Sequence, residues 1–317
     1  MQSFYIINPV AGRGKSRRVW QQLEELLKQN GRSYSFAFTE GPGHAYELAR
    51  SAAESGCRFC FSVGGDGTLS EIVPALLGSD MVLGCIPAGT GNDFARTLKL
   101  PRRLPGILHS INHLKPVLID IPFVNGKPFI NAAGAGFDAM VAERVNQERH
   151  HTRFNNLVYI QALFKTLNHY ENAWLSLQID DQPPLRLKSL LVAVGNGQYY
   201  GAGFRICPKA DPCDGLLDVC IAGDISKPDL VVTLPRLVNG THLSHRKCLY
   251  TTARQIYIDG PPLPIQTDGQ ITARLPALIT IKPQAMRFLV TPEFAQGAGF
   301  SAAAAATGED SGRMKGR

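Results

Sequence analysis

The sequence predicts an α/β domain followed by a β-rich, sandwich-like domain. Over about the first hundred residues, strand-like segments alternate with helix-like ones, which is typical of a parallel sheet covered by helices. From Pro116 to about Pro283, most segments instead resemble strands joined by hairpin turns. The chain of 317 residues, 44% of them hydrophobic, is long enough for two domains and a substantial core.

The N-terminal segments follow one another in a regular order. The strand-like SFYIIN is followed by a basic loop, PVAGRGKS, and then by a segment with helical spacing of leucines. Two further glycine turns, GGDGT and PAGTGND, each lie between a strand-like and a helix-like segment. We predict strands over residues 3–8, 33–39, 59–63 and 81–86, and helices over 21–27, 44–55, 68–77 and 94–98.

Changes in sequence character indicate the domain boundaries. The α/β domain is expected to cover residues 1–115, with a last strand returning to it at about 286–292. The β-rich domain is expected to cover 116–285, interrupted by helices near 138–145, 157–167 and 229–238. After Pro292 the chain is polar and of low complexity, which predicts a disordered tail over 293–317.

The composition is compatible with several classes of binding partner and does not distinguish between them. The formal net charge of +7 suits an acidic ligand, nucleic acid or an anionic membrane surface. No apolar run approaches the ~20 residues that span a bilayer, and the N-terminus has no signal-peptide pattern. The seven cysteines are expected to be reduced thiols in the cytosol. The basic run His242, His245, Arg246 and Lys247 is expected to be solvated, or to face anionic headgroups.

The turn GGDGT predicts a site for phosphate together with a cation. Glycines allow the backbone to approach a ligand closely, and a following helix presents unpaired N–H groups to an anion. Asp66 within the turn would repel a phosphate unless a metal ion lies between them. The first loop departs from the Walker pattern, because Pro9 replaces its leading glycine, and alone it would be a basic turn. In the third loop Asp93 repeats the acid, and Arg96 follows one turn later, where it can reach a phosphate.

Two acidic turns and a glycine motif mark the β-rich half. ADPCDGLLD contains Asp211 and Asp214, which form either a simple Asp-Gly loop or, with the carbonyl of Leu216, an oxygen site for Mg²⁺ or Ca²⁺. QTDGQ places Asp268 in another Asp-Gly turn. GAGFDA, residues 134–139, matches a dinucleotide-binding pattern, but the surrounding βαβ unit is missing and we discount it.

The motifs NPVAGRGKS, GGDGTLSE, PAGTGNDFAR, PKADPCDGLLDV and TDG, in this order, resemble the diacylglycerol kinase catalytic-domain family. That family includes bacterial soluble lipid kinases and the sphingosine and ceramide kinases. The resemblance extends to about Val290 and implies an ATP:lipid-hydroxyl phosphotransferase. It implies an active cleft between an α/β nucleotide-binding domain and a β-sandwich lipid domain. It also implies nucleotide contacts at Asn8, Pro9, Val10, Ala11, Gly12, Lys15, Thr39, Gly64, Gly65, Asp66, Gly67, Thr68, Leu69, Ser70, Glu71 and Thr90, and a structural Mg²⁺ at Asp211, Asp214 and Leu216.

Given the resemblance, the physics of phosphoryl transfer suggests roles for the candidate catalytic residues. The transferred phosphoryl group spreads negative charge, so the protein mainly positions and neutralises it. Lys15 and Arg96 would supply positive charge, while Asp66 and Asp93 would hold the Mg²⁺ shell or orient the acceptor. A lipid hydroxyl is too weak an acid to ionise alone, so a carboxylate must take its proton, and we expect Asp268 to do so.

One position departs from the family pattern. Members typically read Asp-Gly-Glu at the last turn, whereas this chain has Gln270, and an amide cannot act as a base. If the family's base is the first acid, the enzyme is intact. If the base is the glutamate, Gln270 leaves it impaired.

The main expectation is a cytoplasmic lipid kinase that uses ATP and Mg²⁺ and acts transiently at the inner face of the membrane. Its expected partner is a lipid substrate at an anionic surface, through peripheral contact and without nucleic acid. One alternative is an NAD-kinase-like phosphotransferase, because that family also carries a GGDG turn. Another is a catalytically weak nucleotide- or lipid-binding module, suggested by Gln270. The sequence leaves the lipid and the oligomeric state open.

Overall fold

Four parallel strands begin the larger of two sheets. The computed structural model describes residues 3–148, 156–201 and 203–297. Neighbouring strands in this part pair in the order β2-β1-β3-β4, and helices join them, as the alternating sequence pattern predicts. The elements are β1 (Ser3–Ile7), α1 (Lys15–Gln29), β2 (Tyr34–Phe38), α2 (His44–Glu54), β3 (Phe59–Gly64), α3 (Asp66–Leu76), β4 (Val82–Pro87), α4 (Asp93–Thr97) and α5 (Leu104–Ser110).

Alternation along the first strand divides its side chains between two cores. Tyr5 and Ile7 pack with α1 through Trp20 and Leu23, whereas Ile6 packs with the core that contains residues of α2 and α3. Successive side chains of a strand point to opposite faces, so a strand that is apolar throughout requires cover on both sides. The parallel sheet is therefore sandwiched between helices.

The second half of the described chain builds a sandwich of two antiparallel layers. One layer is the smaller sheet, with the order β12-β11-β10-β7-β14-β15, and the other is the continuation of the larger sheet through β16-β13-β8-β9. Apolar side chains from both layers form one core between them. The elements are β5 (Lys115–Val124), β6 (Lys127–Pro128), β7 (Ala132–Gly136), α6 (Phe137–Glu148), α7 (Asn156–His169), β8 (Ala173–Ile179), β9 (Leu185–Ser189), β10 (Leu191–Gly195), β11 (Leu217–Ala222), α8 (Lys227–Asn239), β12 (Cys248–Ala253), β13 (Gln255–Asp259), β14 (Pro264–Thr267), β15 (Gln270–Arg274), β16 (Ala277–Val290) and α9 (Pro292–Gly297).

The long strand β16 joins the two halves. Its first part pairs with β13 inside the sandwich, and its last part pairs in parallel with β4 through Arg287 and Phe288. An irregularity between Lys282 and Met286 interrupts its pairing with β5 and separates the two parts. The sheet therefore runs without a break from the α/β half into the sandwich.

Several sequence expectations are wrong in detail. The sequence does not predict strands β12 and β15: β12 follows the basic run that contains His242, and β15 carries polar residues at both ends. It does not predict α5 either, because that helix contains Pro105 and Gly106. The expected tail does not begin at residue 293, since α9 follows Thr291 and buries Phe294 in the α/β core. The rest of that expected tail, 298–317, lies outside the described residues. Within the described ranges, no helix has both the length and the apolar character needed to cross a membrane.

Candidate active site

One cavity of about 530 Å³ lies where the two halves meet. Its walls combine the glycine turns of the α/β half with the Asp268 turn and the first part of α6 from the sandwich. Such a boundary between domains is a common place for a ligand site. The lining residues are Asn8, Ala11, Gly12, Gly65, Asp66, Gly67, Thr68, Glu71, Gly89, Thr90, Gly91, Asp93, Asn131, Asp138, Ala142, Val145, Tyr200, Gly201, Phe204, Gln266, Asp268, Gly269 and Gln270.

The three glycine turns pack directly against one another. A Cβ atom on Gly12 would lie 2.1 Å from the Ala88 carbonyl oxygen, and Gly12 has a positive φ of 57°. A Cβ atom on Gly89 would lie 2.4 Å from the Cα atom of Gly65. Both obstacles are backbone atoms, which cannot move aside as a flexible side chain can. These glycines therefore let the first and second turns approach the third.

Asn8 connects the first turn with the second. Its side-chain amide donates to the Thr68 hydroxyl at 3.0 Å, and its side-chain oxygen accepts from the Val10 backbone N–H at 3.2 Å. The Ser16 hydroxyl donates to the Asn8 carbonyl oxygen at 2.5 Å and fixes the start of α1 below the turn. Side chains thus fix the shape of the first loop, although it lacks the Walker pattern.

Asp66 connects the second turn with the third. Its Oδ1 atom accepts the backbone N–H of Phe94 at 3.1 Å, at the start of α4. Burial raises the pKa of Asp66, while hydrogen bonds from the backbone of Asn92, Asp93 and Phe94 oppose that rise. The carboxylate is thus held at a helix N-terminus, where a negative charge is stabilised.

Asp93 and Arg96 lie on α4 but have different surroundings. Asp93 is buried and lines the cavity. Arg96 does not line it; its guanidinium lies over the Tyr199 ring at 5.4 Å from the centroid and 3.9 Å from the Asp93 carboxylate. Arg96 also donates to the carbonyl oxygen of Gly91, a lining residue, at 3.5 Å, and thus contacts the cavity wall without lining the cavity itself.

Asp268 is held by the backbone of a neighbouring segment. It lies in the tight turn between β14 and β15, with a positive φ of 50°. Its Oδ2 atom accepts the N–H of Ile130 at 3.0 Å, and its Oδ1 atom accepts those of Asn131 at 3.0 Å and Ala132 at 3.1 Å. Burial raises the pKa of Asp268, and these three hydrogen bonds oppose the rise. Gln270 lines the same cavity next to this turn.

Three residues of the sandwich wall, Asp138, Tyr200 and Gln266, are not predicted as site residues from the sequence. The Asp138 carboxylate accepts from the Tyr200 hydroxyl at 3.0 Å and from the Gln266 amide at 3.4 Å. Burial raises the pKa of Asp138 to about 6. A Cβ atom on Gly134 would lie 1.7 Å from this carboxylate, which explains the glycine in GAGFDA. That motif is therefore a packing motif in the cavity wall.

The acidic turn after β10 lies away from this cavity. Asp211 accepts the Cys213 N–H at 3.0 Å, and Asp214 accepts the Leu216 N–H at 2.9 Å. Leu216 thus meets Asp214 through its N–H group, whereas the predicted metal ligand is its carbonyl oxygen. Neither aspartate lines the cavity described above.

A third carboxylate, which the sequence analysis missed, joins this acidic turn. Asp120 on β5 accepts the N–H groups of Gly215 and Gln284, both at 2.7 Å. Burial raises the pKa values of Asp120 and Asp214, and the neighbouring carboxylates raise them further. A divalent cation would relieve this repulsion, so the donor set suits Mg²⁺. Among the described residues, however, Asp120, Asp211 and Asp214 do not bring one oxygen each within 4.8 Å of one another. Water would therefore complete the coordination shell of a bound Mg²⁺.

The structure brings most, but not all, of the predicted nucleotide residues to the cavity. Val10 is 78% exposed, and Leu69 is buried in the core at 1% exposure. The Lys15 ammonium is exposed and donates to the Arg102 carbonyl oxygen at 3.5 Å. The predicted nucleotide-binding and catalytic residues that do not line the cavity are Pro9, Val10, Lys15, Thr39, Gly64, Leu69, Ser70 and Arg96.

Comparisons with known proteins agree with this architecture. Residues 2–122 match the family described as the diacylglycerol kinase catalytic domain, and residues 131–290 match the YegS C-terminal NAD kinase beta sandwich-like domain. A diacylglycerol kinase of Mycobacterium tuberculosis is 32% identical over 292 residues, covering 90% of this chain and 93% of that protein. A diacylglycerol kinase of Bacillus subtilis is 28% identical over 277 residues, covering 86% and 90%.

The fold is also found in a solved structure. A crystal structure of a diacylglycerol kinase from Bacillus anthracis aligns with a TM-score of 0.70 and 22% identity, covering 92% of this chain and 98% of that one. At this identity the likeness concerns the fold alone. The shared fold agrees with the family matches to both halves of the sequence. The chain belongs to the diacylglycerol kinase catalytic-domain family.

Proposed function

We propose that this protein transfers the γ-phosphate of ATP to the hydroxyl group of a diacylglycerol-like lipid, with Mg²⁺ as cofactor. One observation carries the proposal: the glycine turns and the Asp268 carboxylate line the same cavity, although they come from opposite halves of the chain. A kinase of this type must hold a polyphosphate and an acceptor hydroxyl in one enclosed space.

The turns are suited to the polyphosphate. Gly12, Gly65 and Gly89 bring backbone close to the cavity, and α3 begins at its edge with N–H groups available to an anion. Asp66 and Asp93 lie beside these turns and would hold bound Mg²⁺ against the phosphate oxygens. Mg²⁺ would neutralise charge that develops on the transferred group.

Asp268 is the proposed general base. Three backbone N–H groups fix its orientation, so the carboxylate does not need to reorganise during the reaction. The same hydrogen bonds favour its ionised form, the form that accepts a proton from a hydroxyl group. Asp120, Asp211 and Asp214 would hold a separate structural Mg²⁺.

The apolar part of the cavity suits the acceptor lipid. Ala142 and Val145 of α6 lie with Phe204 on the side of the sandwich. The lipid would enter from a membrane surface, and the net charge of +7 supports contact with anionic headgroups. We therefore propose peripheral membrane contact, which co-sedimentation with phosphatidylglycerol vesicles at low and high salt would test.

The decisive experiment is radiolabelled phosphate transfer from ATP to lipids in mixed micelles with Mg²⁺. It compares the wild type with Asp268→Asn and Gln270→Glu, using diacylglycerol, a sphingoid base and NAD as acceptors. We expect wild-type transfer to diacylglycerol and a loss of at least about a hundredfold in Asp268→Asn. Transfer to NAD alone would establish the NAD-kinase-like alternative.

The alternative that the chain is a catalytically weak binding module can be tested at Gln270. The side chain lines the cavity at the position where an acid is expected in the family. If the wild type binds ATP without transfer and Gln270→Glu gains activity, the natural chain is a nucleotide-binding module that has lost its base. If Gln270→Glu changes the rate by less than about tenfold, Asp268 alone is sufficient as the base.

A further inference from the structure

A second cluster of reactive side chains lies far from the cavity, on the outer side of the smaller sheet. Cys220 is on β11, Cys248 is at the start of β12, and His242 is in the short helical turn that follows α8. None of the three lines the cavity of the candidate active site. His242 is expected from the sequence to be solvated or to face anionic headgroups, but the residue is buried, with 4% exposure.

The distances within this cluster match those of a thiophilic metal site. The Cys220 sulfur lies 3.7 Å from the Cys248 sulfur and 3.7 Å from Nε2 of His242. All three donor atoms lie within 4.8 Å of one another. Among the residues that the structure describes, no other group of three His, Cys, Asp or Glu side chains is this compact. Tetrahedral Zn²⁺, with bonds of about 2.3 Å to sulfur and about 2.0 Å to nitrogen, separates its ligands by roughly 3.5–3.8 Å.

The strand register argues against a disulfide at this place. Cys248 pairs with Ala222, and Cys220 pairs with Tyr250, so the two cysteines are diagonal neighbours on adjacent strands. Diagonal pairs have Cα atoms roughly 7–8 Å apart, whereas a disulfide requires about 4.4–6.8 Å. A metal ion joins two sulfurs at 3.7 Å without moving the strands, but a disulfide does not.

The His242 imidazole turns its Nε2 atom towards the Cys220 sulfur, so Nε2 is the atom that would bind the ion. Its Nε2 atom lies 3.0 Å from the Ile206 carbonyl oxygen, and Nδ1 is buried without a hydrogen-bond partner among the described residues. A metal ion would compete with the Ile206 contact for Nε2.

We propose that Cys220, His242 and Cys248 bind Zn²⁺, with Cys207 as the candidate ligand for the fourth position. The Cys207 sulfur lies 3.5 Å from the Asp218 carbonyl oxygen and would give up that contact to bind the ion. Cys207 is buried in the same small hydrophobic cluster as Cys220, against which Cys248 also packs. The ion would fasten the edge strand β12 and the turn after α8 to the centre of the sheet. This role is structural and independent of the proposed kinase activity.

The test uses Co²⁺ as a spectroscopic probe, followed by Zn²⁺ competition, on the full chain reduced and stripped with a chelator. We expect one equivalent of Co²⁺ to give thiolate charge-transfer absorption, to resist millimolar Mg²⁺ and to be displaced by Zn²⁺. Cys248→Ser should weaken Zn²⁺ binding by at least about tenfold, since loss of outer-shell groups alone costs 10–100-fold. Cys57→Ala, at a buried cysteine of the α/β core, is the matched control and should bind as the wild type does.

Two outcomes would overturn the proposal. One is the absence of thiolate charge-transfer absorption in the wild type, and the other is unchanged Zn²⁺ affinity in Cys248→Ser. Cys248 is only half-buried, so its serine variant is expected to fold, and circular dichroism would verify this. A His242→Gln variant provides a second, thiol-independent readout, because its Co²⁺ spectrum should change in the ligand-field region.

Discussion

The Asp66 carboxylate accepts the backbone N–H of Phe94 at 3.1 Å, which ties the second glycine turn to the helix that follows the third. The acid of GGDGT therefore has a structural partner inside the protein in addition to any ligand. Phe94 itself is fully buried and contacts Phe288 edge to face, with ring centroids 5.6 Å apart. The hydrogen bond thus couples the cavity wall to the core near the joining strand β16.

This contact predicts that two substitutions of Asp66 differ in stability but not in activity. Asp66→Asn keeps an oxygen that accepts the Phe94 N–H, whereas Asp66→Ala leaves that buried donor unsatisfied. We expect Asp66→Ala to lose about 1–3 kcal/mol of unfolding free energy and Asp66→Asn less than half of that. Both should lose most phosphate transfer, because neither carries the negative charge. Urea unfolding and the transfer assay would check this, and equal stability of the two variants would contradict it.

The contact between turns predicts that Gly89→Ala is destabilising. The new Cβ atom would lie 2.4 Å from the Cα atom of Gly65, so one turn must shift. We expect a loss of about 1–3 kcal/mol, together with weaker ATP binding. Gly41→Ala is the control, because that glycine is exposed and has open space around its Cβ position. Comparable melting temperatures for the two variants would show that the turns are not packed as described.

Asp138 predicts a pH-dependent contribution to stability. Its pKa is raised to about 6 in the folded protein by burial, next to Tyr200 and Tyr170, so the native state binds more protons than the unfolded chain between pH 4 and 6. The protonated Asp138 carboxyl therefore contributes about 3 kcal/mol to the free energy of unfolding at low pH. This contribution is lost as the pH rises from about 4 through 6. Asp138→Asn should remove that slope, and the difference in unfolding free energy between wild type and variant isolates it. Parallel stability curves from pH 4 to 7 would contradict the assignment.

The last helix predicts where the C-terminus stops contributing to stability. Phe294 is 8% exposed and packs in the α/β core, so Phe294→Ala should lose about 3 kcal/mol. Phe164→Ala, at a helical phenylalanine that is 47% exposed, is the matched control and should lose far less. Deletion of residues 298–317 should leave the melting temperature within about 2 °C, because the segment has no core-forming pattern. A large fall on that deletion would show that the segment is structural.

Much of the architecture could be predicted because its signals are local. Alternating apolar residues specify the buried strands, and glycine turns before helices mark the ends of strands β1, β3 and β4. Parallel strands in an α/β sheet place these ends on one edge, so the convergence of the three turns follows from the pattern. The unpredicted strands β12 and β15 lie at the two edges of the smaller sheet, and each is a strand because one neighbouring strand pairs with it.

The sequence by itself determined the family, the fold class and the presence of three glycine turns, two of which carry an acid, because each depends on motifs of neighbouring residues along the chain. Only the tertiary structure decided which distant groups meet. It joined Asp120 to the acidic turn, placed Asp138 and Tyr200 in the cavity wall, and brought Cys220, His242 and Cys248 together. Register and sheet order set these contacts, and both result from packing between segments far apart in the chain, which no local pattern records.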